Sequence, residues 1–252
     1  MMYFIPLKMI IFFVKNPHNY VYELFLFYLN NQTAKYGGRK MKEIVIVGAG
    51  GFGKEIGFLV NQLSDYHLLG YVDDRKRKGE KVGHATVLGT IEWLAYYSKP
   101  VNVAIGVAAP EIKKRIYQKL QVNPYLKFPN LISPFALIDE EVQFGQGNII
   151  MPFATLLTDI QIGDFNMVNL RTSIGHDTTI GSYNSLFPNV TVSGNTTIND
   201  QTSFGVSSTL IQNIMIGSHS TIGAGAVVIK DIPSHVTAVG CPAHIIKKRM
   251  EK

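Results

Sequence analysis

Residues 191–222 read TVSGNTTINDQTSFGVSSTLIQNIMIGSHSTI, and a large apolar residue returns at every sixth place. The pattern extends from this stretch in both directions, and in total it covers seventeen consecutive positions, spaced six residues apart, without interruption. These ladder positions are Ile132, Ile138, Phe144, Ile150, Leu156, Ile162, Val168, Ile174, Ile180, Leu186, Val192, Ile198, Phe204, Leu210, Ile216, Ile222 and Val228. A period of six matches neither the 3.6-residue period of a helix nor the alternation of a simple strand. Regularity of this length indicates a structural repeat.

Each six-residue unit is interpreted as one flat side of a coil that has three sides. Small or β-branched residues stand mostly four places after a ladder position, as at Ala154, Thr172 and Ala226, which suits one large and one small inward side chain per side. Three sides make an 18-residue coil, and parallel strand hydrogen bonds stack successive coils ~4.8 Å apart. The repeat is expected to stop at residues 231–233, because Pro233 lacks the N–H that another coil requires.

Glycine directly follows the ladder residue at seven positions. We interpret these glycines as corners that need unusual backbone dihedral angles. They are Gly145, Gly163, Gly175, Gly181, Gly205, Gly217 and Gly223.

Composition and charge exclude several classes of protein. The chain has 252 residues, of which 46% are hydrophobic and 17% charged, so disorder and collagen-like repeats are excluded. The net charge is +6, but residues 41–252 carry only 19 basic and 17 acidic side chains, which gives no electrostatic footprint for nucleic acid. A single cysteine, Cys241, excludes an intramolecular disulfide and a four-cysteine zinc site. A reducing compartment, the cytoplasm, is therefore expected.

Residues 1–40 differ from the rest of the chain, since they hold ten Phe or Tyr side chains. Charged residues interrupt the apolar runs before they reach the ~20 residues of a membrane span, and a secretory signal does not fit either. We interpret this segment as a non-native upstream extension, with the purine-rich codons of residues 37–40 acting as a ribosome site before Met41. The alternative is an added membrane-surface or packing segment. Membrane insertion is not expected.

Residues 43–53 predict a strand, a glycine turn and the start of a helix. A second strand over 68–72 ends at Asp73 and Asp74, and a third strand over 101–105 precedes a helix over 110–120. Such a turn lets backbone amides approach a phosphate, while a carboxylate accepts from a sugar or a base. About 85 residues leave room for one mononucleotide half of a dinucleotide fold. The alternative is a glycine turn that serves only helix-on-sheet packing.

The chain resembles the family of sialic acid O-acetyltransferases and nucleotide-amino-sugar N-acetyltransferases of bacterial surface-glycan biosynthesis. The resemblance covers Lys42 to about Lys248 and rests on several motifs together. They are residues 48–53 (GAGGFG), 72–74 (VDD), 128–134 (FPNLISP), 150–154 (IMPFA), 174–177 (IGHD), 222–228 (IGAGAVV) and 240–243 (GCPA). The predicted fold class is thus an α/β Rossmann-like mononucleotide domain (41–127), followed by a left-handed parallel β-helix of hexapeptide repeats with a short tail (128–252). The left hand is implied by the resemblance alone.

The resemblance implies a homotrimer that binds acetyl-CoA in the groove between neighbouring subunits. It implies His176 as the catalytic base with Asp177 beside it, and the Gly194 backbone amide as the oxyanion donor. Chemistry agrees, because neutral imidazole is suited to take a proton from an attacking amine or hydroxyl near pH 7, and the thioester oxygen needs a fixed donor. The alternative for His176 is a surface histidine without a task.

The resemblance also implies the binding residues. Those for the pantetheine arm are Gly205, Val206, Ala224 and Gly225, and those for the adenine lie in the tail from Gly240 through Pro242. Lys230 either pairs with a phosphate or is simply solvated. The substrate residues are Gly50, Gly51, Phe52 and Gly53 for the nucleotide diphosphate, and Asp73 and Asp74 for base and ribose.

The sequence departs from relatives at three positions. Phe52 and Ser133 stand where relatives often have histidine, and Ser185 aligns with a second active-site histidine of some relatives. Cys241 lies beyond the ladder, so direct transfer in a ternary complex is expected rather than an acetyl-cysteine route. The resulting hypothesis is an acetyl-CoA-dependent N-acetyltransferase of the UDP-4-amino-sugar type that uses no metal.

Three alternatives remain open at this point. One is O-acetylation of sialic acid or another sugar, and the second is a non-catalytic sugar-nucleotide scaffold. The third is a hydratase similar to γ-class carbonic anhydrases, which requires three converging histidines, whereas the ladder region contains only His176 and His219.

Overall fold

The computed structural model describes residues 41–248, and from Lys42 onward they belong to one compact unit. The interpretation of residues 1–40 as an upstream extension lies outside the described residues. The division of the rest at residue 127 stays a prediction, because the parts on either side of it share that unit. Between residues 41 and 248, no helix is both long enough and apolar enough to cross a membrane.

The first part of the described chain is a six-stranded sheet flanked by helices. Its strands are β1 (Lys42–Val47), β2 (Tyr66–Val72), β3 (Lys81–Val82), β4 (Ala85–Gly89), β5 (Val101–Ile105) and β6 (Leu126–Lys127). Its helices are α1 (Gly51–Gln62), α2 (Ile91–Ala95) and α3 (Pro110–Leu120). The strand order is β3-β4-β2-β1-β5-β6, and every pair is parallel except β3 with β4. The Rossmann-like expectation is confirmed, although α1 begins within the glycine turn.

Strand β1 is central because both of its faces are buried. Ile44 and Ile46 pack in one apolar cluster with Ile56 and Leu59 of α1. The alternate residues of the strand pack in a second cluster with Ile116 and Leu120 of α3. The period-2 alternation of a strand therefore places α1 and α3 on opposite faces of the sheet, and the loops that follow β1, β2 and β5 meet at one edge.

The second part is a β-helix built from two-residue strands. They are β7 (Leu131–Ile132), β8 (Leu137–Ile138), β9 (Gln143–Phe144), β10 (Ile149–Ile150), β11 (Thr155–Leu156), β12 (Gln161–Ile162), β13 (Met167–Val168), β14 (Ser173–Ile174), β15 (Thr179–Ile180), β16 (Ser185–Leu186), β17 (Thr191–Val192), β18 (Thr197–Ile198), β19 (Ser203–Phe204), β20 (Thr209–Leu210), β21 (Met215–Ile216), β22 (Thr221–Ile222) and β23 (Val227–Val228). Each ladder residue is the second residue of one strand. From Ile150 onward these side chains form the buried core, so the predicted β-helix is confirmed.

The strands form three parallel sheets, here called walls A, B and C. Wall A contains β7, β10, β13, β16, β19 and β22, wall B runs from β8 to β23, and wall C runs from β9 to β21. Neighbours within a wall come from successive coils and pair in the same register, as in Ile174 with Val192. The chain turns at an A–B corner, a B–C corner and a C–A corner in every coil. Residues one full coil apart at the same corner therefore lie above one another.

The seven glycines lie at corners as expected, but the reason expected for them, unusual backbone dihedral angles, is wrong. Each of the seven has a φ outside the left-handed region, which non-glycine residues occupy instead, as at Phe153 (φ 63°) and Asp177 (φ 55°). Space between coils is what requires glycine. A Cβ on Gly163 would lie 2.8 Å from the carbonyl oxygen of Gly181 in the next coil, which is closer than real Cβ atoms approach.

The repeat also continues past the predicted stop. Ile232 forms a parallel bridge with Ile216, and strand β24 (Val236–Val239) pairs in parallel with β22 so that Thr221 lies opposite Thr237. Paired residues are thus fewer positions apart in the sequence here than in the coils before. Strand β25 (His244–Lys248) then runs antiparallel to β24 and ends wall A. Pro233 does not prevent this last coil, which is shortened between Val228 and Ile232, before the proline.

Replacing Gly163 with alanine tests the packing role of the corner glycines. We expect Gly163→Ala to lower the free energy of unfolding by about 1–3 kcal/mol, because the added methyl overpacks the gap to the next coil. Asn199→Ala is the matched control, since Asn199 occupies the same place after a ladder residue and already carries a Cβ. Chemical denaturation should change by less than about 0.5 kcal/mol for this control. Equal effects of both substitutions would contradict the packing explanation.

Candidate active site

His176 and Gly194 lie one above the other at the B–C corner, in successive coils. The imidazole of His176 covers Gly194 so closely that a Cβ there would lie 2.6 Å from Nε2. Any other residue at position 194 would displace the ring. The structure therefore brings two of the three predicted catalytic groups into contact.

The third group, Asp177, holds the ring from the other side. Its Oδ2 lies 2.6 Å from Nδ1 of His176. The backbone of Asp177 is left-handed, with a φ of 55°. Both side chains are open to solvent, with 58% and 60% of their surface exposed. When the imidazole carries its proton on Nδ1, where Asp177 accepts the hydrogen bond, the lone pair of Nε2 is free to accept a second proton.

The backbone amide of Gly194 has the properties of an available donor. The flanking amides are engaged, since Ser193 donates to the carbonyl of Leu210 at 3.1 Å and Asn195 donates to that of His176 at 2.8 Å. Among the described residues, no acceptor takes the Gly194 N–H. An unengaged amide next to Nε2 can stabilise an oxygen that gains negative charge.

Most of the residues expected to bind acetyl-CoA come together at the A–B corner, near the end of the β-helix. Gly205 lies against the backbone of Ala224, and the amide of Gly225 donates to the carbonyl of Val206 at 2.9 Å. The tail joins them, since Gly240 accepts from the Val227 amide at 2.9 Å. Pro242 follows two places later. Val206 is 43% exposed.

Lys230 is not part of this group. It lies at the B–C corner, two places after β23, in the same column as His176. It is three coils away from His176, or about 14 Å at the spacing of stacked strands.

A cavity of about 570 Å³ lies at the sheet edge where β1, β2 and β5 end. It is lined by five of the six predicted substrate residues. They are Gly50, Gly51, Phe52, Asp73 and Asp74. The remaining one, Gly53, is buried in α1 with its Cα close to Gly106, and a Cβ on it would collide with the carbonyl of Gly48. The structure thus assigns Gly53 to helix-on-strand packing, whereas the sequence placed it against the diphosphate.

The two aspartates at the cavity also hold its walls in place. Asp73 accepts from the Ala49 amide through Oδ2 and from the Arg75 amide through Oδ1, each at 2.8 Å. Asp74 accepts from the Ile91 amide at 2.8 Å through Oδ1. The carboxylate of Asp73 therefore braces the glycine turn, a role that the sequence did not indicate.

Comparisons with known proteins show which proteins this chain is similar to. Residues 43–120 match the family model described as the PglD N-terminal domain. The chain is 30% identical to WeeI from Acinetobacter baumannii AYE, covering 82% of this chain and 100% of that one, with a TM-score of 0.74. It is 29% identical to the acetyltransferase domain of PglB from Neisseria gonorrhoeae FA1090, solved with acetyl coenzyme A, over the same shares and with a TM-score of 0.77.

A curated relative points the same way. UDP-N-acetylbacillosamine N-acetyltransferase from Bacillus subtilis (strain 168) is 33% identical over 109 residues, or 42% of this chain. The chain spans half the length of that relative. The chain belongs to the nucleotide-amino-sugar N-acetyltransferase family. The expected enzyme class, a hexapeptide-repeat acyltransferase with a left-handed β-helix that uses acetyl-CoA, is confirmed with it.

Sequence reasoning missed the cationic side of the cavity. Arg75, Arg115 and Lys119 all line it. Lys119 forms an ion pair with Glu92, and this hydrogen bond raises the pKa of the lysine. Arg115 and Lys119 are four residues apart and so share one face of α3, which is a signal that the sequence does contain.

The two histidines of the ladder region do not converge within one chain. Across residues 41–248, no group of three or more His, Cys, Asp or Glu side chains could hold a metal ion. His219 lies at the C–A corner and stacks on His235 with ring centroids 4.7 Å apart. It is therefore on a different corner from His176, and burial lowers its pKa.

A buried lysine links the two parts of the described chain. Lys113 of α3 is 3% exposed and donates through Nζ to the carbonyls of Phe165 at 2.8 Å and Asn184 at 3.0 Å and to Oγ of Ser185 at 3.3 Å. Burial lowers its pKa to about 7 from 10.5. Loss of hydration thus outweighs three acceptors that favour the ammonium form.

The lowered pKa of Lys113 predicts a pH dependence of stability. Between pH 7 and 10.5 the unfolded chain binds one more proton than the folded chain, so the free energy of unfolding rises with pH over that window. The expected contribution is on the order of a few kcal/mol. Urea denaturation of Lys113→Met should lack this rise, whereas Lys114→Met on the same helix should keep it. A rise of equal size in both variants would refute the assignment.

Proposed function

We propose that the protein transfers the acetyl group of acetyl-CoA to the amine of a nucleotide-linked amino sugar, in the biosynthesis of a surface glycan. The observation that carries this proposal is the contact of the His176 ring with Gly194, with Asp177 on Nδ1. A base and an oxyanion donor side by side are what acyl transfer from a thioester needs. Family membership and the nucleotide-sized cavity support the same conclusion.

The reaction follows from the placement of these groups. The amine nitrogen attacks the thioester carbonyl carbon, and the carbonyl oxygen gains negative charge beside the Gly194 amide. Nε2 of His176 takes the proton that the nitrogen loses, while Asp177 stabilises the imidazolium through Nδ1. The carbon–sulfur bond then breaks, and the proton passes from His176 to the leaving thiolate. No covalent enzyme intermediate is needed, and Cys241 takes no part.

The acetyl-CoA site is proposed at the A–B corner. Gly205, Val206, Ala224 and Gly225 would contact the pantetheine arm, and the tail at Gly240 and Pro242 would contact the adenine. Lys230 is proposed for a phosphate only in the groove of an assembled trimer, because it lies at the B–C corner of its own chain.

A homotrimer is proposed because the parts of the site lie at two different corners. His176 and Gly194 stand at the B–C edge of wall B, while the pantetheine residues stand at its A–B edge. Apolar side chains are exposed along the B–C edge of this wall. They are Leu157 (46% exposed), Ile211 (39%) and Ile229 (48%), which occupy one column. Ile211 and Ile229 lie in successive coils, whereas Gly175 and Ser193 separate them from Leu157. Exposed apolar side chains of this kind favour burial by a second copy, which would bring one chain's A–B corner to another's B–C corner.

The substrate is proposed to be a nucleoside diphosphate sugar of the UDP-4-amino-sugar type. Unengaged amides at the glycine turn and the cations Arg75 and Arg115 suit a diphosphate. O-acetylation of sialic acid or another sugar is the competing reaction and uses the same base. A cytoplasmic location is proposed from the single, exposed Cys241.

Replacing His176 tests the base. We expect His176→Ala to lower kcat by on the order of 10²–10⁴-fold, with the KM for acetyl-CoA little changed, because only proton transfer is lost. Release of free thiol from acetyl-CoA is measured with UDP-linked 4-amino sugars, and with CMP-sialic acid as the O-acetylation arm. His244→Ala, in the tail strand, is the control. A loss of only a few-fold would remove His176 as the base, and a preference for CMP-sialic acid would overturn N-acetylation.

Replacing Gly194 tests the contact itself. Gly194→Ala places a methyl 2.6 Å from Nε2, so the ring must turn away. We expect kcat to fall by on the order of 10²-fold or more. Ser193→Ala, one residue earlier, changes a side chain without entering this contact and should keep kcat within about twofold. Full activity of Gly194→Ala would show that the ring and the amide do not act together.

A further inference from the structure

The cavity wall formed by α3 and the loop before it is tied to two successive coils of the β-helix, the first through the carbonyl of Phe165. Lys113 points away from the cavity and ends at Asn184 and Ser185. Ser185 passes the connection on, because its hydroxyl donates to the carbonyl of Ala108 at 2.5 Å. Ala108 lines the cavity itself. Two points of the wall, a helix and its preceding loop, are therefore held by a single strand, β16.

The hydrogen bonds at this tie are complete in the ammonium form. The Ser185 hydroxyl uses its own hydrogen toward Ala108, so its oxygen accepts from Lys113. Two carbonyls and this oxygen then match the three N–H groups of an ammonium. Removing one member of such a buried group costs free energy, because its former hydrogen-bond partners then remain buried without a partner or water.

The later of the two coils that receive Lys113 carries the proposed transfer centre. His176 and Gly194 are separated by one full turn of the β-helix, and Asn184 and Ser185 lie halfway along that turn. The coil is stiff at this point because Asn184 belongs to a buried column. Its amide donates to Oδ1 of Asn166 at 2.8 Å, and its own Oδ1 accepts from the Thr202 amide at 2.7 Å.

We propose that Lys113, acting through Ser185, is a positioning residue that sets the distance between the nucleotide cavity and the acetyl-transfer centre. This inference rests on the proposed function. The length of a nucleoside diphosphate is limited. The sugar amine therefore meets Nε2 only if the cavity wall keeps its place relative to the coil of His176. Since the coils are stacked rigidly, the same tie sets this distance if the amine is delivered to a neighbouring copy.

The test separates positioning from binding and from chemistry. In Lys113→Met we expect kcat/KM for the nucleotide-linked amino sugar to fall by on the order of 10²-fold, the effect of a misplacement near ~1 Å. The dissociation constant of the free nucleoside diphosphate, measured by calorimetry, and the slow acetylation of the same amino sugar without its nucleotide should each change by less than about threefold. Lys114→Met is the matched control and should behave as wild type.

Ser185 provides the second arm of the test. Ser185→Ala should reproduce the pattern of Lys113→Met, and the double variant should be no worse than either single one, because both substitutions break one tie. Equal losses with the linked and the free sugar would indicate a general structural role and overturn the proposal. Unchanged activity with the linked sugar would also overturn it.

A structural measurement keeps the proposal testable if the proposed function fails. Should wild type acetylate no nucleotide-linked amine, the proposed function is refuted, and amide hydrogen exchange then decides on the tie. Lys113→Met should speed exchange over residues 106–120 while leaving residues 43–62 unchanged. Exchange that is unaltered at 106–120, or equally faster in both segments, would refute a specific tie.

Discussion

The fold depends on one constraint, the stacking of apolar side chains, one above another in successive coils, inside three parallel walls. The ladder residues pack on their neighbours above and below and are buried from Ile150 onward, and the parallel backbone hydrogen bonds of the walls keep the length of each coil constant as far as Val228. Because this length is constant, residues far apart in sequence lie in straight columns at the corners. The contact of His176 with Gly194 is a product of this register.

Glycine serves the same constraint in a different way from the one the sequence suggests. At Gly163 and Gly194 the absence of a side chain allows a neighbour in the next coil to approach, once as a carbonyl and once as the imidazole. The left-handed corners are occupied by residues such as Asp177, whose backbone conformation directs its carboxylate to the ring. The close approach between coils that glycine allows therefore serves both packing and the geometry at the proposed catalytic corner.

The cavity proposed for the nucleotide and the proposed transfer centre are built on different parts of the chain, and a buried lysine joins these parts. Burying an amine of this kind costs hydration free energy, which its three acceptors offset only in part. The arrangement connects the helix that supplies Arg115 and Lys119 with the coil that supplies His176. The exposed apolar side chains of Leu157, Ile211 and Ile229 lie on the surface proposed for the assembly of copies.

The sequence by itself determined the β-helix but not where it ends, because a period of six repeated seventeen times leaves few other ways to bury the ladder, whereas the last coil departs from that period. It also determined the strand, turn and helix at residues 43–53 and the pairing of His176 with Asp177, which are local in the chain. Only the tertiary structure decided that Gly53 packs against the backbone of Gly48 and Gly106, that Asp73 braces the turn, and that Lys113 reaches Ser185. These outcomes depend on contacts between residues that are distant in sequence, and no periodicity or short motif records such contacts.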